Sequence, residues 1–236
     1  AIEPQYPSGD SGRLPQIIVP NKLIQGSVGI VRVRGLRGPM SSIVNGIQMS
    51  SFCTDGEHAF FIPIPIDSKT GEQSLSIKMF DRETNVSYTV IKRHVDSASI
   101  VVPESISHLL DSKYSTEEGV LFDSVFGEIS GEQLWQGTFI KPLDINENSG
   151  FGEHRIFMPG AVHSHHTGTD FPAGSDTTVS SAADGIVLWA GSLPIHGNTV
   201  IVDHGLGVST VYSHLAGFNV EKGEALSIGA VVGLVG

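Results

Sequence analysis

The chain of 236 residues has a single cysteine, Cys53, so no disulfide can form within it. Its surroundings, "SFCTDG", hold no second thiol at metal-binding spacing, and it reads as a small packed residue. Basic residues are scarce, 14 Lys and Arg against 25 Asp and Glu, giving a formal net charge of -11. That balance excludes a typical nucleic-acid binder and electrostatic docking on an anionic membrane. No apolar run reaches the ~18 residues of a membrane span, so membrane insertion is not expected. No basic-then-apolar signal segment stands at the start. The chain opens instead on a polar stretch, "AIEPQYPSGDSGRLPQ", beginning at Ala as a cleaved export signal would leave it. Export is therefore expected.

The hydrophobic fraction of 39% and charged fraction of 17% are those of a globular protein. After an extended leader over residues 1–21, residues 22–102 read as strand after strand. "LSIKMF" places Leu75, Ile77 and Met79 on one face, and "FFIPIPI" aligns Ile62, Ile64 and Ile66. Pro63 and Pro65 lack N–H donors, so that strand is expected at an edge or irregular. Turn signals such as "SKTGEQ" separate the runs, and short strands at this spacing predict an immunoglobulin-like β-sandwich. Residues 103–136 read as a helical connector. Pro103 can open a helix, Ile106, Leu109 and Leu110 have helical spacing, and Thr116 can cap a second helix with Glu117 and Glu118 in its first turn. Residues 137–236 return to glycine-rich strands. The fold class is mainly β.

The stretch "HSHHTGTDF" (163–171) concentrates the chemistry. His166 and Asp170 stand four apart. In a straight strand they would lie roughly 13 Å apart, too far for one zinc ion with bonds of ~2.0–2.2 Å. A shared metal requires a bend, which Gly168 permits. His163 and His165 face the other way in an extended strand and are at best outer neighbours. His204 in "VDHGLG" reads as a turn residue and His196 in "PIHGN" as loop. His58, His94, His108 and His154 show no partner and read as surface. In "GVSTVYSHL", Thr210, Tyr212 and His214 share one strand face, and Val211, Ser213 and Leu215 the other. With Val211 and Leu215 in the core, Tyr212 and His214 would look outward together, either holding a substrate or forming a cross-strand aromatic pair.

The ordered series "HHTGTDF", "VSSAADGIVLWAG", "GNTVIVDHGLGVSTVYSHL" and "VEKGEALSIGAVVGLVG" resembles the catalytic domain of lysostaphin/LytM-type zinc metallopeptidases. "SGFGEHR" resembles that family's opening strand, and the likeness covers about residues 137–236. The resemblance implies an antiparallel β-sheet peptidase domain that hydrolyses peptide bonds in bacterial cell-wall peptidoglycan. It implies Zn2+ as cofactor, His166 and Asp170 as zinc ligands, and His214 as a catalytic histidine that contacts substrate or stabilises the transition state. The family's last motif, HxH, would supply the third ligand and a general base, and no HxH follows His214. Two expectations follow. Either this is an incomplete piece whose last strand lies in a separate C-terminal segment, leaving "IGAVVGLVG" as an unpaired sheet edge, or the domain is a catalytically inactive LytM-like module that regulates other wall hydrolases. The first is favoured, because both early ligands remain and the loss is one terminal block. The peptidoglycan peptide is then the expected partner. The net charge gives no help in attaching to an anionic wall and fits periplasmic action better than wall anchoring.

Overall fold

A computed structural model describes residues 15–35, 42–54, 56–79, 82–128 and 130–236. The chain divides into two compact units, Ala1–His94 and Val95–Gly236. Most of the expected leader lies outside the described residues. Its last part, however, forms a strand that joins the first unit, which contains β1 (Gln16–Ile18), β2 (Lys22–Ile24), β3 (Ser27–Arg34), β4 (Ser42–Val44), β5 (Ile47–Met49), β6 (Phe52–Thr54), β7 (Glu57–Ile64), β8 (Gly71–Met79) and β9 (Arg82–Ile91). They form two sheets, β1-β3-β7-β6 and β2-β9-β8-β4-β5. Alternation along the strands sends Val31, Val33, Phe60, Ile62, Leu75 and Ile77 from both sheets into one apolar core. β6 pairs only with Glu57–Ala59, so β7 at Pro63 has β3 as its single strand partner. Although β7 lies inside its sheet, its side away from β3 carries no strand at Pro63. His58 is buried, with Nδ1 3.8 Å from the Cys53 sulfur, and is not the surface residue expected.

The second unit contains β10 (Ser97–Val101), a 3-10 helix (Glu104–Leu110), α1 (Ser112–Phe126), β11 (His154–Met158), β12 (Val162–His165), β13 (Thr178–Ser180), β14 (Gly185–Leu193), β15 (Gly197–Gly205), β16 (Val208–Phe218), β17 (Ala225–Leu226) and β18 (Val231–Val235). The run "ASIVV", expected in the sandwich, is β10. It pairs in parallel with β11, more than fifty residues on, so the boundary falls ahead of the expected 102/103 division. Six strands form the main sheet, in the order β13-β18-β16-β15-β14-β17, and every pair in it is antiparallel. The apolar end of the chain is β18, which lies between β13 and β16 rather than at an edge. The short strand β13 covers the side that the sequence left open. β16 meets β18 only over Leu215–Phe218, and among the described residues no strand borders the rest of that side of β16.

The helical segment is part of this unit, not a bare connector. Asp111, not Thr116, caps α1, accepting from the Lys113 N–H at 2.9 Å. Thr116 lies inside the helix and its hydroxyl donates to Ser112 O. Gly119 in mid-helix costs about 1 kcal/mol relative to Ala. What holds α1 is packing: Val125, Leu121 and Phe122 lie against Leu188 and Ile201 of the sheet. Each fully buried aliphatic side chain contributes about 1.5–3 kcal/mol. A second core, built on Val187, Val200, Val202, Tyr212, Leu215 and Val232, fills another part of the unit.

Candidate active site

His166 and Asp170 come together because a preceding loop clamps both ends of the motif. The Gly152 N–H donates to His166 O and the His166 N–H to Glu153 O, at 2.7 and 2.8 Å. The Asp170 N–H donates to Ser149 O and the Asn148 N–H to Asp170 O, at 2.9 and 3.1 Å. Between these clamps the chain bends at Gly168, as the shared-metal spacing demanded. The physical reason differs from the one expected. Gly168 does not adopt a left-handed φ, and an added Cβ would stand 3.9 Å from His166 Nε2 in ordinary contact. The clamp, rather than glycine's freedom, makes the bend.

His166 Nε2 lies 3.1 Å from Asp170 Oδ1. On the other side of the ring, Nδ1 is 3.2 Å from Gly150 O, which can only accept. Nδ1 also lies 3.2 Å from Ser149 Oγ. With the Nδ1 proton directed to Gly150 O, Nε2 of a neutral ring turns a lone pair toward a carboxylate oxygen. Two acceptors that close need a second proton or a cation between them. Two ligands bound to one tetrahedral zinc at ~2.1 Å stand roughly 3.4 Å apart, so the pair fits that ion. Asp170 Oδ2 accepts from Arg155 Nη2 at 2.7 Å, which leaves Oδ1 for the ion. Arg155 also donates from Nε to Glu153 Oε2 at 2.9 Å and from Nη2 to Ser149 Oγ at 2.7 Å. The hydrogen bond from Arg155, against an opposing desolvation, holds the Glu153 carboxyl below its usual pKa. Ser149, Glu153 and Arg155 thus orient His166 and Asp170, the kind of support a metal-binding pair would require. The sequence carried a signal for the last two: Glu153 and Arg155 alternate in "GEHR" and share one face.

His163 and His165 do not join the pair. His163 stacks on His154 with ring centroids 5.2 Å apart and its Nδ1 3.2 Å from His154 Nε2, and His165 meets the same ring tilted by 52° at 5.6 Å. Among the described residues no set of three or more His, Cys, Asp or Glu side chains is placed to hold a metal ion.

His214 and Asp170 line one pocket of ≈ 360 Å³, together with Leu143, Phe171, Tyr212 and Val235. The expected outward pairing of Tyr212 and His214 does not occur. Tyr212 is buried and Val211 is 41% exposed. A β-bulge is the cause: Asn198 and Val200 face Leu215 and Tyr212, so β16 carries one extra residue between them and the alternation flips. His214 sits in that bulge with φ +57, its N–H donating to His196 O at 2.9 Å. His214 is an exposed residue of β16 that lines the pocket. Partial desolvation, with His196 adding to it against the pull of Asp170 and Glu118, lowers the pKa of His214 from the ordinary histidine value. The ring is neutral at pH 7.

Tyr212 closes the pocket floor. Its hydroxyl accepts from the Ala182 N–H at 2.7 Å and lies 3.0 Å from Thr210 Oγ1. Thr210 in turn bonds Nε2 of His204, whose Nδ1 donates to Asp184 O at 2.7 Å. His204 is fully buried rather than a turn residue, and burial lowers its pKa too. The unfolded chain then binds more protons than the fold at pH values between the lowered pKa and the ordinary ~6.5, so stability falls as pH drops through that window. Thermal melts from pH 7 to 5 check this: the melting temperature declines, and the decline is shallower in His204→Asn, which keeps the donor to Asp184 but cannot titrate.

The model of peptidase family M23 matches residues 164–236. A DD-carboxypeptidase/endopeptidase, Mpg, of Neisseria meningitidis is 39% identical over 103 residues, 42% of this chain and 23% of the relative. Peptidoglycan DD-endopeptidase ShyA of Vibrio cholerae is 30% identical over 125 residues, 52% of this chain and 28% of the relative. The matched part thus spans about a quarter of these relatives' length. A crystal structure of a Pseudomonas aeruginosa protein described as a peptidase M23 shares the fold, with TM-score 0.69 at 24% identity, over 90% of this chain and 82% of the other. The part of the chain that carries His166, Asp170 and His214 is thus similar in sequence to peptidase family M23.

Proposed function

We propose that the chain acts as a zinc-dependent metalloendopeptidase on the peptide part of bacterial cell-wall peptidoglycan, outside the cytoplasm. The observation that carries the reading is the His166 Nε2–Asp170 Oδ1 approach of 3.1 Å, with Asp170 and His214 on one pocket. The relatives' names, which give peptidoglycan DD-endopeptidase activity for the Vibrio cholerae protein, support the substrate class. His166 and Asp170 would hold the ion, and a third donor would reach it from outside the described residues. Bound zinc supplies an acidified water and a polarised carbonyl. Arg155 keeps the Asp170 carboxylate aimed through its hydrogen bond to Oδ2. Neutral His214 has Nδ1 on the Gly197 side, so Nε2 is the nitrogen we assign to substrate, placed to bond the oxygen that gains charge as the amide is attacked. The apolar wall formed by Leu143, Phe171 and Val235 would shield that exchange from bulk water.

Incubation of the protein with purified peptidoglycan, followed by mass analysis of the released fragments, tests the proposal. New peptide termini that vanish with a chelator and return with zinc are expected. Undigested peptidoglycan at saturating zinc would overturn it. That result would favour a second reading, a non-catalytic module that regulates other wall hydrolases, whose one support is the lack of a three-donor set among the described residues.

A further inference from the structure

Glu118 is a carboxylate from α1, outside the family-matched residues 164–236, and it is only 3% exposed. Nothing in the hydrolytic scheme uses it. A buried carboxylate is costly unless its oxygens are bonded, and these are. Oε1 accepts from the backbone N–H groups of Ile195 and His196, and Oε2 accepts from His196 Nδ1. The three bonds pin the turn between β14 and β15. Phe122, one helical turn on, meets the His196 ring edge to face at 5.3 Å.

The pinned turn holds His214. The His196 carbonyl accepts the His214 N–H at 2.9 Å, and the two imidazoles lie nearly parallel, 18° apart in plane with centroids 6.3 Å apart. His214 has a left-handed φ, which a non-glycine residue keeps only when its surroundings impose it. Gly197, next to His196, has φ +61, a left-handed backbone that favours glycine, and a Cβ there would meet the His214 Cα in ordinary contact at 3.7 Å.

We infer that Glu118 is a positioning residue for catalysis: acting through His196, it fixes the backbone and ring orientation of His214 in the pocket. The helix that precedes the peptidase domain thereby keys its site. The inference rests on the peptidase reading for its kinetic consequence, but not for its structural one.

The test uses the whole protein carrying Glu118→Gln, which keeps the volume and the Oε1 acceptor but puts an amide donor opposite His196 Nδ1–H. Zinc affinity, measured by titration calorimetry, should stay within about twofold, since His166 and Asp170 are held by other residues. Peptide release should fall about 10- to 100-fold in kcat with little change in KM, the scale of loss a misplaced catalytic group produces. The imidazole NMR signals of His214 and His196 should both shift. His196→Asn, whose amide nitrogen can still donate to Glu118, should keep the fold and also move the His214 signals, because the stacked ring is gone. It stands in if Glu118→Gln fails to fold. Unmoved His214 signals and unchanged kcat in either folded variant overturn the inference. If the wild type releases no peptide yet the His214 signals move, positioning stands and the peptidase reading alone fails.

Discussion

On the proposed peptidase reading, Asp170→Asn is expected to lower zinc affinity and peptidoglycan hydrolysis each by more than about 100-fold, since even the loss of a residue that merely supports a ligand costs about 10- to 100-fold. The reason is that the two carboxylate oxygens have separate tasks. Oδ2 accepts from Arg155 and Oδ1 faces His166 Nε2. A carboxamide has one acceptor oxygen and one donor nitrogen. With its oxygen toward Arg155, its NH2 points at the ion site; with its oxygen toward the site, its NH2 meets the donors of Arg155. Neither placement preserves both tasks. The fold should tolerate the change, because Asp170 is 48% exposed and its ion pair with Arg155 is worth about 1 kcal/mol or less. Calorimetric zinc titration beside a thermal melt separates the two effects. Unaltered zinc affinity in the variant would remove Asp170 from the ligand set.

Gly205→Ala is expected to be the most destabilising single-methyl change in the hairpin between β15 and β16, with a loss of about 3 kcal/mol or more. Two penalties coincide there. Gly205 has φ +85, where a Cβ costs about 1–2 kcal/mol. The added Cβ would also lie 1.7 Å from Glu132 O. That carbonyl is not free to move. The segment around it is tied to the hairpin by Leu134 N–H to His204 O, Leu206 N–H to Ser130 O, and Ser130 N–H to the Asp203 carboxylate. Gly207 provides the control: its φ is +80, but no atom lies within 4 Å of its would-be Cβ. Gly207→Ala should therefore cost only the backbone strain. Denaturant melts of the two variants measure the difference, and equal losses would show that the close approach to Glu132 is relieved cheaply.

The turn at "VDHGLG" was legible from local residue types, although His204 itself lies in β15 and is buried. His166 and Asp170 were legible for the same reason, because their spacing and the bend both lie within five residues. The clamp that makes the bend was not, since it comes from residues 148–153 through backbone bonds that leave no pattern of residue type. His214 was singled out through the resemblance, but the strand faces around it were misread: a one-residue bulge inverts a period of two and gives no warning in composition. Glu118 and His196 stand 78 residues apart, and the sequence assigned each a bland local role, a first-turn charge and a loop. Likewise β10 finds β11 across the whole helical segment, so the unit boundary could not be placed from the run of strands alone.

The most direct test of the metal assignment is anomalous diffraction at the zinc edge from crystals of the whole protein grown with zinc. A single peak about 2.0–2.2 Å from both His166 Nε2 and Asp170 Oδ1 is the expected result. A peak at the His154–His163 pair instead, or none near Asp170 at saturating zinc, would contradict it.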